Sequence, residues 1–190
     1  DVIRHVSRWA SHGSSPEALA KQTAALLLSL EGSICLFQGE ELGQLETEMK
    51  FEELKDPVGI RFWPNNKGRD GCRTPMTWDS KLANAGFSEN KPWLPIKPPQ
   101  ASRSAKQQEN DQNSVLSFYH RMIWFRQNSD ALRQGKTTFF ETDEPVLAFS
   151  RKTEEENVIC VFNLSKEEVS IEVEHLKSNI KFIWLFFKNN

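Results

Sequence analysis

Arg69 and Arg73 stand four residues apart in GRDGCRTPMTW, which runs from Gly68 to Trp78 around an acid, Asp70, and a thiol, Cys72. A guanidinium presents a rigid fork of donors, and two of them so close together suit a concave, polar surface. The stretch shows no helical or strand period, follows the aromatic pair Phe62 and Trp63, and ends on Trp78. The plainer alternative for Arg69, Asp70 and Arg73 is a cluster of ion pairs that braces the loop. Glu40 and Glu41 in QGEELG look like paired carboxylates, but adjacent residues on one loop point apart, so a structural role bracing an arginine is expected. Arg4 is expected to make a local ion pair. His5, His12, His120 and His175 are scattered and carry no assigned role.

The elements that must position these groups belong to a chain of 190 residues, 38% hydrophobic and 26% charged, with a formal net charge of -2. Such a composition describes a globular chain long enough for one domain or somewhat more. Basic residues are interleaved with acids, so no stripe for nucleic acid exists. No apolar run approaches the roughly 20 residues of a membrane-spanning helix. Cys35, Cys72 and Cys160 are widely spaced and odd in number, as expected of reduced thiols in a cytoplasmic protein. Neither metal-ligand spacing nor a cofactor signature is present. Residue 1 is Asp rather than Met, and the native beginning is expected to lie upstream.

Ser15 reads as the cap of a helix with Pro16 at its first position, apolar residues through Leu30 and a stop at Gly32. Ser33 to Phe37, between Gly32 and Gly39, reads as a parallel strand buried on both faces. From Gln38 to Gln112 prolines and glycines break every period, and a loop region of that length is usually functional. Order returns with a second helix capped at Asn113 and Ser114. The period then becomes two, and Thr137 to Thr142, Val146 to Arg151, Val158 to Asn163 and Val169 to Val173 read as strands of an antiparallel module.

Five stretches in this order resemble the α-glucosidases of glycoside hydrolase family 13: DVIRHVSRW, GSICLFQGEELG, DPVGIRFWP, GRDGCRTPMTW and the helix around Ser114 to Arg126. The likeness covers positions 1 to about 165; the last stretch, Leu176 to Asn190, which ends KFIWLFFKNN, does not resemble the family's tail. It implies an α/β plus β chain, a C-terminal fragment. Residues 1–133 are expected to supply the last portion of a (β/α)8 barrel, and residues 134–190 an antiparallel β-sandwich domain, incomplete or atypical at its end.

The resemblance also implies roles. Asp1 is the transition-state-stabilising acid of an Asn-His-Asp motif at the end of barrel strand seven. Arg69 reaches the 4-hydroxyl of the non-reducing glucose, oriented by pairing with a carboxylate, which closes the pocket and makes the enzyme exo-acting. Arg73, the second substrate-binding candidate, lies toward the outer edge of the site or pairs with a nearby acid such as Asp1. A retaining mechanism further needs a nucleophile and an acid/base about 5–5.5 Å apart; the family draws them from strands four and five, so no Asp or Glu here takes either role. Trp63, Trp78 and Trp93 could stack on sugar rings, although aromatic residues among prolines more often form the loop's own core. The implied function is hydrolysis of terminal α-glucosidic bonds in maltose- or isomaltose-like oligosaccharides, without cofactor or metal, by an enzyme of which this part alone is inactive. The alternatives are a non-catalytic interaction subunit and a glucosyltransferase, trehalose-forming or sucrose-cleaving relative.

Overall fold

The computed structural model describes residues 2–10, 15–165 and 167–170, and the backbone of 180–185. Its helices are α1 (His5–Trp9), α2 (Pro16–Ser29), α3 (Pro57–Phe62), α4 (Pro98–Ala101), α5 (Ala105–Gln108), α6 (Val115–Gln127) and α7 (Asp130–Gln134). Its strands are β1 (Lys136–Phe139), β2 (Val146–Lys152), β3 (Asn157–Asn163) and β4 (Ile180–Leu185). Contacts group the chain into two compact units, residues 1–11 with 36–118, and residues 12–35 with 119–190.

Both helices expected from the sequence form. The Ser15 hydroxyl accepts from the Ala18 amide at 3.1 Å, Pro16 opens α2, and Gly32 turns the chain with φ of 95° just beyond it. The Ser114 hydroxyl receives the Ser117 amide at 3.1 Å and so caps α6. Ser129 repeats the device for α7 through the Leu132 amide.

Ser33 to Phe37 differs from expectation. It takes no regular element, and Ser33, Cys35 and Phe37 are exposed. A parallel strand is held by ladders on both sides, and among the described residues no strand runs beside this segment.

The first unit has no sheet among its described residues, and backbone bonds within and between its turns, together with side-chain bonds, hold its loops. Buried Gln44 donates to the Thr77 hydroxyl at 2.8 Å and the Gln100 carbonyl at 3.1 Å, while the Thr47 amide donates to the Gly71 carbonyl at 3.1 Å. Short helical turns occupy much of the stretch that reads as irregular in sequence, and Met49, Leu54 and Leu94 form an apolar core with Trp63 packed on it.

In the second unit β1, β2 and β3 form an antiparallel sheet in that order, with Phe149 opposite Phe139 and Cys160. β4 adds to β3 in parallel, with Ile159 opposite Phe182, where an all-antiparallel module was expected. Val169 and Ser170 take no regular element, and residues 171–173 of the last expected strand lie outside the described residues. Ala20, Ala24 and Ala25 of α2 are buried, as are Phe149, Ile159 and Phe162 of the sheet.

Candidate active site

Arg69 is anchored from below by a residue thirteen positions upstream. Asp56 Oδ2 accepts from Arg69 Nε at 2.8 Å and from the Arg69 amide at 2.9 Å, and Oδ1 accepts from Nη2 at 3.1 Å. This is the fork-on-carboxylate geometry that fixes an arginine in plane as well as in position. The Asp56 side chain is 0% exposed and that of Arg69 is 42% exposed, so the anchor is covered while the guanidinium reaches solvent. Asp56 also caps α3, its Oδ1 accepting from the Val58 amide at 3.1 Å. Asp70, which the plainer alternative placed in an ion-pair cluster with Arg69 and Arg73, binds main-chain amides here. Its buried carboxylate takes the amides of Lys55 and Asp56 at 2.6 and 2.8 Å, and so pins the backbone that carries the anchor.

Gly68 makes this approach possible. It sits at φ of 71°, and a Cβ there would lie 2.8 Å from the Gly59 nitrogen and 2.9 Å from Asp56 Oδ2, closer than any side chain tolerates.

Arg69 lines a cleft of about 580 Å³ together with Val2, Ile3, Arg8, Glu46 and Val58. Asp1 lies outside the described residues, but its neighbours Val2 and Ile3 wall the same cleft as Arg69. Arg73 is half-buried, donates its amide to the Asp70 carbonyl at 3.1 Å, and does not line that cleft. Glu46 accepts from the Arg4 amide at 2.9 Å, and burial holds its carboxyl above the usual carboxylate range despite that bond.

Arg4 corrects the expected local ion pair. It is buried, its guanidinium lies over the Phe37 ring, and it donates to the carbonyls of Gln38 and Cys72, each at 3.0 Å. It therefore stitches the start of the chain to two distant loops. The Glu41 and Glu40 carboxylates accept from the amides of Gly39 and Phe37, at 2.8 and 3.3 Å, holding the QGEELG turn as structural groups. Among the tryptophans, Trp63 is partly buried against the loop's apolar core, whereas Trp78 and Trp93 are 53% and 69% exposed.

Asp56 is the site residue that sequence reasoning passed over. Its signal was present as the dipeptide Asp56-Pro57, an N-cap followed by proline at the first helical position. That signal marks a helix start and says nothing about which cation shares the carboxylate.

A pH prediction follows from the pair. The Arg69 guanidinium above all, with the amides of Val58 and Arg69, holds the Asp56 carboxyl far below its ordinary range. A depressed carboxyl stabilises the folded state above its unfolded pKa, and that stabilisation is lost as pH falls. The chain's thermal midpoint, followed by circular dichroism, is expected to begin falling below about pH 5 and to go on falling toward about pH 1, and Asp56→Asn to flatten that fall. Glu46, with its raised carboxyl, acts in the opposite sense, so the difference between wild type and variant is the quantity to measure. An unchanged slope in the variant would exclude the pair as its source.

Comparison with known proteins agrees with the sequence resemblance. The α-amylase catalytic-domain family matches residues 1–135, and the maltogenic amylase C-terminal-domain family matches residues 137–182. A probable α-glucosidase of Rhizobium meliloti is 49% identical over 173 residues, covering 91% of this chain and 31% of the relative. The probable oligo-1,6-glucosidase 2 of Bacillus subtilis is 31% identical, with 88% and 33% covered. Among solved structures, the α-glucosyl transfer enzyme XgtA superposes with a TM-score of 0.81 at 47% identity, over 88% of this chain and 31% of that one. Trehalulose synthase MutB of Pseudomonas mesoacidophila gives 0.76 at 30%, over 87% and 33%. The chain thus spans about a third of the length of the relatives it matches. Among the described residues no helix is long and apolar enough to cross a membrane. With a catalytic-domain match over most of its length, a C-terminal-domain match behind it and these relatives, the chain belongs to the α-amylase family, glycoside hydrolase family 13, and carries part of its (β/α)8 catalytic domain followed by a β module.

Proposed function

We propose that this chain supplies one wall of the glucose-binding pocket of a cytoplasmic, exo-acting α-glucosidase that hydrolyses terminal bonds of maltose- or isomaltose-like oligosaccharides with retention. The observation that carries the reading is Arg69, half in solvent on a buried carboxylate anchor and in one cleft with the neighbours of Asp1. A guanidinium fixed in this way can donate to the 4-hydroxyl of a terminal glucose and block further extension of the pocket, which is the geometry of exo action. Asp1 stabilises the oxocarbenium-like transition state, and Arg73 braces the outer edge of the site. Residues 1–133 form the barrel part and 134–190 the C-terminal domain.

The nucleophile and the acid/base come from the part of the barrel that precedes this chain. Charge stabilisation by Asp1 is useless when no group attacks the anomeric carbon and none protonates the leaving oxygen. The isolated 190 residues are therefore expected to release no chromophore from 4-nitrophenyl α-glucoside. Joined in frame to the upstream barrel segment, they are expected to release glucose from non-reducing ends only. Proton NMR of the first product should show the α-anomer; β-glucose, or turnover by the isolated chain, would overturn the proposal. A second reading, transfer of glucose to a hydroxyl other than water, draws on the 47% identity to a structure described as an α-glucosyl transfer enzyme. New oligosaccharides in the same reaction would select it.

A further inference from the structure

The anchor beneath Arg69 has a consequence for sugar recognition, and the inference here rests on the assignment of Arg69 to the glucose pocket. We propose that Asp56 is a positioning residue: it aims the Arg69 guanidinium at the sugar without touching the sugar itself.

The Asp56 side chain is 0% exposed, so a substrate cannot reach it. Both of its oxygens are already engaged by four donors: the Arg69 amide, Nε and Nη2, and the Val58 amide. The bidentate pair takes the Nε–Nη2 edge of the fork, and a planar group held along one edge has its whole plane and direction set. The aim is set at both ends, because the same carboxylate holds the Arg69 amide. Beneath it, Asp70 fixes the amides of Lys55 and Asp56, so two buried acids in series locate one exposed donor. Gly68, with no side chain to intrude, lets the two loops close to this distance. Such support is worth about 10- to 100-fold in function at sites where it has been removed, although it never contacts the ligand.

The test is a double-mutant cycle in the full-length enzyme, these 190 residues joined to the upstream barrel segment, with 4-nitrophenyl α-glucoside and its 4-deoxy analogue as substrates. Asp56→Asn is expected to lower kcat/KM for the glucoside about 10- to 100-fold and to lower that for the 4-deoxy analogue far less. The hydroxyl being aimed at is missing from the analogue. In an Arg69→Ala background, Asp56→Asn should cost nothing further. Arg69→Lys, which leaves the cap on α3 intact but cannot form the fork, should reproduce the selective loss even if Asp56→Asn fails to fold. Equal losses on both substrates, multiplicative losses in the double variant, or full activity in Arg69→Lys would each overturn the positioning role. Should Arg69→Ala leave kcat/KM unchanged on both substrates, the assignment of Arg69 to the pocket falls instead, a result distinct from any of these.

Discussion

Asp1→Asn in the full-length enzyme is expected to lower kcat on the order of 10³- to 10⁴-fold, and Arg69→Ala to lower kcat/KM about 10²- to 10³-fold. The two losses differ in kind. A carboxylate that faces the anomeric centre gains strength as positive charge develops there, so its removal raises the barrier more than it weakens substrate binding. An arginine on a hydroxyl of the bound sugar acts in the ground state as well, and its loss should be divided between KM and kcat. Both effects are read from steady-state rates on a chromogenic α-glucoside, with the thermal midpoint as a check on folding. Rates that survive both substitutions would dissolve the site.

How far this arrangement was legible in sequence depends on whether the cause is local. Ser15 with Pro16, and Ser114, are caps whose partners lie three residues away, and these two helices can be read from the residues alone, whereas α7 with its Ser129 cap went unread. The alternation in Val146 to Asn163 likewise forecasts a hairpin, and the register pairs Val146 with Asn163. The failures all involve distance. Ser33 to Phe37 has the composition of a buried strand, but a strand is a relation to neighbours, and none is found among the described residues. Arg4 resembles any surface arginine until the chain brings Gln38 and Cys72 to it, 34 and 68 positions away. Asp70 is next to Arg69 in sequence and belonged to the alternative ion-pair cluster, yet the turn at Asp70–Cys72 directs its carboxylate to the amides of Lys55 and Asp56. Adjacent residues compete for direction, so the partner of a loop arginine is better sought where another segment crosses the loop.

The same preference for backbone partners gives the largest stability effect expected in the second unit. Arg151 lies on β2, opposite Val158 and Thr137, and is 0% exposed on the face that also buries Phe149. Its guanidinium donates to the Ser29 carbonyl at 2.7 Å and twice to the Gly135 carbonyl, at 2.8 and 3.2 Å. Ser29 ends α2 and Gly135 caps α7, so one cation satisfies orphan carbonyls at two helix C-termini, where the helix dipole also favours positive charge. Burial pushes the Arg151 pKa down, the direction expected when a charge is taken out of water. Replacing a buried ion pair as a whole by apolar residues can be neutral. Here the partners are main-chain carbonyls that no substitution removes, so Arg151→Met keeps the bulk and leaves both acceptors dry. The expected loss is about 3 kcal/mol, from charge-assisted hydrogen bonds worth roughly 1.5–3 kcal/mol each. Arg151→Lys should recover only part of it, since a single ammonium cannot bridge the two carbonyls with the same fork. Arg133, exposed and paired with Asp130 within α7, is the control, and Arg133→Ala should cost below about 0.5 kcal/mol. Urea unfolding followed by circular dichroism separates these cases. Equal midpoints for Arg151→Met and Arg133→Ala would mean that the helix ends find water instead, and that the buried arginine does not hold the sheet to its helices.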